Sequence, residues 1–246
     1  MSKKKLLLHG LPAALIVLSA AISICAQNPT GGKHNSRPQQ QQVSDSSGIS
    51  DTAKTDAVKY TYEFSQPKFY VKHIVIEHDA NGRGTVTFER LNEDTPISEP
   101  IELSTYALAR INASWQALQF LDSDKDYQSD KQFPHLGTMR IGMQRGERKR
   151  VAEFNWTNNS DASKLVTEYR KVADQAILVF DIAIARENQP LNAPKLMELF
   201  EALLNRDALS DPRQLLKLLQ DMSTDEHIPL IARNHALRLI KKIEKN

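Results

Sequence analysis

The sequence predicts an α+β protein: an antiparallel sheet built from a three-strand meander and a separate hairpin, packed with two helices and followed by a small all-α helical region. Three observations predict it. Apolar residues alternate with period two in two separate stretches, before and after residue 120. Each of those stretches leads into a run with helical spacing. From Pro190 onward only the helical period remains.

The meander opens with residues 69–78, rich in aromatic and β-branched side chains. Asp79-Ala80-Asn81-Gly82 supplies turn chemistry, with Asn-Gly the strong hairpin signal. Residues 84–91 return with Val86 and Phe88 on one face and Thr85, Thr87 and Glu89 on the other. A short third strand carries Ile101 and Leu103. Ser104 then caps a helix whose apolar face is Leu108, Ile111, Trp115 and Leu118. A polar loop covers 122–134. The second hairpin alternates Met139, Ile141 and Met143, turns at Arg145-Gly146, and continues through Ala152, Phe154 and Trp156. Trp115, Trp156 and Phe180 fall on apolar stripes and are expected in the core.

A long helix opens near Ser160 or Asp161, with Leu165, Tyr169, Val172, Ala176 and Phe180 on one stripe. Residues 176–185 are apolar almost all round, which predicts deep burial. Asn192 is placed to cap the next helix, which carries Leu196, Leu199, Phe200 and Leu203. Pro212 sits at a first helical turn ahead of Leu215, Leu216, Leu218 and Leu219. The last helix presents Ile231, Ala232, His235, Leu239, Ile240 and Ile243 on one face.

Four segments follow: 1–26, a signal peptide; 27–58, a linker; 59–189, the α+β domain; and 190–246, the helical region. Lys3, Lys4 and Lys5 precede a nearly apolar stretch that closes on small residues around Ala26. That order is the pattern of a secretory signal. An uncleaved anchor and lipidation at Cys25 are its alternatives. The linker holds Gly31-Gly32, the run Gln39 to Gln42 and a Ser/Asp-rich stretch, with too few large apolar residues to offset the entropy of folding. The protein is therefore expected to be exported, periplasmic or extracellular.

Cys25 is the single cysteine and lies inside the signal, so the mature chain has no disulfide and no thiol nucleophile. Removing Lys3, Lys4 and Lys5 from 32 basic residues leaves 29 against 30 acidic ones. Such a neutral chain has no global field for nucleic acid, and it meets a membrane only through an uncleaved signal.

Local chemistry is sparse. Asp122, Asp124 and Asp126 alternate like the first ligands of an EF-hand loop. Tyr127 and Phe133 then occupy the places of its glycine and closing glutamate, and a solvated loop is the simpler reading. Asp79-Asn81 likewise reads as a turn. His73, His78 and His135 are candidates for zinc, but His73 and His78 sit at odd spacing in one strand and face opposite ways. No Gly-x-Ser-x-Gly, phosphate loop or cysteine nucleophile occurs, so no catalytic or cofactor-binding residue is assigned. Arg145, Arg148, Lys149 and Arg150 form a basic hairpin tip, the candidate partner-binding residues.

Residues 213–243 resemble one HEAT-type repeat, through the leucines at 215–219, the Asp225-Glu226 turn and Ile231-Ala232-Arg233 leading to Ala236 and Leu239. The resemblance implies a helical hairpin of the kind that stacks into binding scaffolds. The order of elements across 69–186 resembles the emfourin protease-inhibitor domain, and the chain as a whole resembles exported bacterial proteins of unknown function. The resulting expectation is an exported, non-catalytic interaction protein whose partner is another protein. An inhibitor of an exported protease is a narrower form of it, and an envelope-directed hydrolase with dispersed carboxylates is the rival class.

Overall fold

Strand β1, Val58–Ser65, is the element that the sequence reading lacked, and it makes one sheet of two. In the computed structural model, which describes residues 57–245, β1 pairs antiparallel with β2 (Val71–Asp79) on one side and with β5 (Thr138–Arg145) on the other. With β3 (Arg83–Arg90), β4 (Ile97–Glu102) and β6 (Arg148–Phe154), the sheet runs β4-β3-β2-β1-β5-β6. The α+β class holds, with six strands in a single antiparallel sheet. The signal, Cys25 and the linker as far as residue 56 lie outside the described residues.

The alternation of β1 explains its place. Tyr60, Tyr62 and Phe64 are buried on one face, while Lys59, Thr61 and Glu63 take the other. Ile76, Val86, Met139 and Ile141 extend the apolar face across the sheet. At the β2–β3 turn, Asp79 Oδ1 accepts from Asn81 N at 2.8 Å and Arg83 N at 2.9 Å. Gly82 takes φ +79°, and a Cβ there would lie 2.9 Å from that of Leu103.

Two helices cover the apolar face. Helix α1 spans Thr105–Leu118, capped as expected by Ser104, whose Oγ accepts from Ala107 N at 3.1 Å. Helix α2 spans Ser160–Asn188, opening where expected, and is capped by Asn159, whose Oδ1 accepts from Asp161 N and Ala162 N. Its buried positions include Leu165, Tyr169 and Val172 over the sheet, then Leu178 and Ile182 against the helical region. Over 176–185 burial is one-sided, since Ile184 is exposed: the helix there has helices on one flank only.

Helices α3 (Ala193–Asn205), α4 (Leu216–Thr224) and α5 (Leu230–Lys245) build a second core around Met197, Phe200, Leu219, Ala236 and Leu239. Asn192 does not cap α3 through its side chain, which donates to Gln189 Oε1 instead. Leu199 and Ile231 are exposed; the inward faces are set by Ala193, Met197 and Phe200 and by Ala232, Ala236 and Leu239. Small alanines at these places let the helices approach closely. Arg110 links the two cores, donating to Glu168 Oε2 and to the Ser210 carbonyl, each at 2.8 Å.

The centre of the first core is polar and fully satisfied. Trp115 Nε1 donates to Tyr169 Oη at 3.1 Å, and that hydroxyl lies 2.8 Å from His78 Nε2. His78 Nδ1 donates to the Asp79 carbonyl at 2.7 Å, which leaves Nε2 as the acceptor of the tyrosine proton. Every ring is therefore bonded as a neutral group. Desolvation by burial pushes His78 below the ordinary imidazole value, against the raising influence of Asp79. The unfolded chain then binds a proton more readily than the fold does, so His78 contributes stability above about pH 6.5 that is lost as pH falls.

Two outcomes are expected. Tyr169→Phe leaves Trp115 and His78 without their partner and costs about 1–3 kcal/mol, read from urea denaturation. Between pH 7 and 5 the wild-type stability declines, and His78→Gln declines less steeply over the same interval, whatever its absolute stability.

Candidate functional site

A groove opens where α2 leaves the sheet uncovered, at the far end of β1. It encloses about 780 Å³, within the size range of small-ligand and peptide sites. Its floor is Tyr62, Phe64, Ile74, Met139 and Phe154, from the apolar face of four strands. One wall is a stripe of α2: Ser163, Val166, Thr167, Arg170, Ala173 and Asp174. Those positions step by three and four residues and so share one helix face.

The rim comes from three loops. Gln66 is buried and fastens two of them, since its Nε2 donates to the carbonyls of Pro134 at 2.9 Å and His135 at 3.0 Å. The turn after Gln66 carries Phe69 and Tyr70, 44% and 59% exposed. Gly137, at φ +91°, leads into β5, and a Cβ there would come within 2.6 Å of the Phe64 ring. Trp156 is 44% exposed, which corrects the expectation that it is core. Strand β6 ends at Phe154, so the alternation stops before Trp156. Its ring meets Phe133 edge-on at 5.2 Å instead. Trp115 is buried as expected, and Phe180 is half-buried, edge-on to Phe88.

Polar groups in the groove are few and mostly free. Arg170 Nη2 lies 3.3 Å from Met139 Sδ, and its guanidinium sits 5.8 Å from the Phe64 ring centre. Among the described residues no carboxylate reaches ion-pair distance of Arg170 or of Lys68 at the rim. Tyr62 Oη is buried without a hydrogen-bond partner, and of the buried polar atoms in that condition it alone belongs to the groove. Desolvation pushes the Tyr62 hydroxyl up to about 12, with the Arg170 charge and the approach of its guanidinium to the hydroxyl pulling the other way. The two stand close, but not in hydrogen-bond geometry. Asp174 reaches solvent at one end, yet the desolvation of its surroundings raises its carboxyl above the usual range, while Arg206 and Arg170 lower it.

The residues singled out by sequence lie elsewhere. Arg148 and Arg150 share the parity of Ala152 and Phe154, so they turn toward the helix side of the sheet. Arg148 Nη2 pairs with Asp122 Oδ1 at 2.6 Å. Arg150 donates to the carbonyls of Phe120 at 2.7 Å and Lys125 at 2.6 Å, with its guanidinium 4.5 Å over the Phe120 ring. Arg145 and Lys149 remain exposed. Of the three alternating aspartates, Asp122 is held by Arg148, Asp126 accepts from Gln128 N at 2.9 Å, and Asp124 is exposed. Tyr127 anchors their loop, buried between Phe120 and Phe154.

The histidines are likewise apart. His73 lies on the open face between Glu63 and Glu89, 3.1 Å from each. His78 is in the core, and His135 is exposed beside Phe133. Among the described residues no three His, Cys, Asp or Glu side chains gather as metal ligands.

Compared with known proteins, the chain matches no family model and no curated protein.

The free hydroxyl predicts an asymmetry between two stacked tyrosines, whose rings lie 5.2 Å apart. Tyr62→Phe removes an unpaired buried group and leaves stability unchanged or raised, in contrast to the loss at Tyr169. Arg150→Ala costs about 1–2 kcal/mol through three lost contacts, whereas Lys149→Ala stays within about 0.5 kcal/mol. Urea midpoints of the four variants check both statements.

Proposed function

We propose that this chain is an exported, non-catalytic interaction protein of the bacterial envelope or exterior, and that it holds another protein in the groove between α2 and the sheet. One observation carries the reading: three large aromatic side chains, Phe69, Tyr70 and Trp156, stand exposed around an apolar floor. Burying such side chains from water is favourable by about 1.5–3 kcal/mol each, and contiguous exposed apolar surface on a folded domain marks an interaction site.

Aromatic anchors around a pocket are also the residues that dominate protein interfaces. The basic hairpin tip is a weaker candidate, because Arg148 and Arg150 are already engaged within the chain. The hydrolase reading gains little from the groove, whose described lining contains a single carboxylate, Asp174. Glycoside hydrolysis by paired carboxylates needs two. The helical hairpin of α4 and α5 belongs to the second core, with Leu178 and Ile182 of α2, and lines none of the groove. A protease as the bound partner would select the inhibitor form of the same proposal.

A photo-crosslinking residue in place of Trp156 or Tyr70, in cells of the source organism, is expected to yield a discrete protein adduct. The adduct is lost when Phe69→Ser is added. An adduct formed only from a crosslinker at Lys149, or none from any of the three positions, contradicts the proposal.

A further inference from the structure

We infer that the groove takes the C-terminal end of a protein chain, holding its terminal carboxylate at Arg170 and its last apolar side chains on the floor. The inference rests on the binding reading above and names its ligand. Charge is the starting point. Arg170 and Lys68 are the cations of the groove, and neither is paired with a carboxylate among the described residues. Arg170 touches a thioether and a ring face, with the Tyr62 hydroxyl and the Asp174 carboxyl nearby but unpaired to it. A guanidinium so placed offers parallel donors to a carboxylate, the geometry in which arginine binds most strongly.

The Tyr62 hydroxyl, without a hydrogen-bond partner, is the second observation. It is fully buried, it belongs to the floor, and it stands beside Arg170. A buried hydroxyl without a partner is costly, and once the side chains that shield it shift aside it would donate to a carboxylate oxygen held at Arg170. Burial keeps that hydroxyl protonated, so it serves as a donor at any ordinary pH.

The remaining polar groups argue for a peptide over an acyl chain. Thr167 Oγ1 donates to the Ser163 carbonyl at 2.8 Å and keeps its lone pairs free to accept. Ser163 and Asp174 lie on the same stripe, one toward each end of it. Together they place acceptors along the wall where the amide N–H groups of an extended chain would run. A hydrocarbon tail would leave them unpaired. The floor of Phe64, Ile74 and Met139, with Val166 of the wall, selects aliphatic or aromatic final residues.

The test uses the full chain and two pools of fluorescein-labelled hexapeptides. Their last three positions are randomised among alanine, valine, leucine, isoleucine and phenylalanine. One pool ends in a free carboxylate and the other in an amide, and binding is read by fluorescence polarisation. The free-acid pool is expected to bind, with the amidated pool weaker by about tenfold or more. Arg170→Gln, at an exposed helix position, is expected to weaken the free acid by about tenfold and to leave the amide unchanged. Equal binding of the two pools overturns the inference while leaving the binding reading intact. A free-acid preference that survives Arg170→Gln overturns it as well. So does binding of a fluorescent fatty acid, displaced by oleate, with no binding of either pool, which would make the ligand an acyl chain. Binding of neither pool together with no crosslink from the rim defeats the inference and the binding reading at once.

Discussion

The Tyr169 hydroxyl is the interaction on which the arrangement turns. It accepts a hydrogen bond from Trp115 of α1, donates one to His78 of β2, and belongs to α2. Three elements far apart in sequence are thereby fixed around one oxygen in a dry core, where every polar atom of the set has a partner. The same ring stacks on Tyr62 of β1. The long helix cannot rotate or slide without breaking these bonds, so its next stripe, Ser163 to Asp174, is set above the sheet as the wall of the groove. Stability and the candidate site are two faces of one helix.

The sheet explains why the groove exists at all. Six strands give an apolar face wider than α1 and the first half of α2 can cover. The uncovered part, at the end of β1 and the start of β5, is bordered by loops and not by a third helix. Exposed aromatic rings there are what remains when apolar area exceeds its cover. Binding proteins use such a surplus, whereas a domain selected only for stability has reason to lose it.

Much of the fold was legible because periodicity reports burial. The meander, the second hairpin, Ser104 as a cap and the long helix follow from spacing alone. Strand β1 was legible too, since Tyr60, Tyr62 and Phe64 alternate with Lys59, Thr61 and Glu63, although the run abuts a polar segment that masks its start. Parity within β6 would also have turned Arg148 and Arg150 inward, beside Ala152 and Phe154. The groove was not legible. Its wall is a mixed stripe on a helix whose stronger apolar stripe lies alongside, and its rim unites loops at 66–71, 133–137 and 155–157 through two side chains, Gln66 and Asn155. Spacing along a chain carries no signal for a site that long-range packing assembles, and Trp156 misled because alternation says nothing about where a strand stops.

Hydrogen–deuterium exchange of the full chain, with and without the free-acid peptide pool, tests the central claim most directly. The account predicts added protection in 62–71, 136–139, 154–157 and 163–174, the segments that frame the groove, with the 145–150 hairpin tip unchanged. Protection concentrated at that tip, or spread over the helical region while the groove stays as it was, would contradict it.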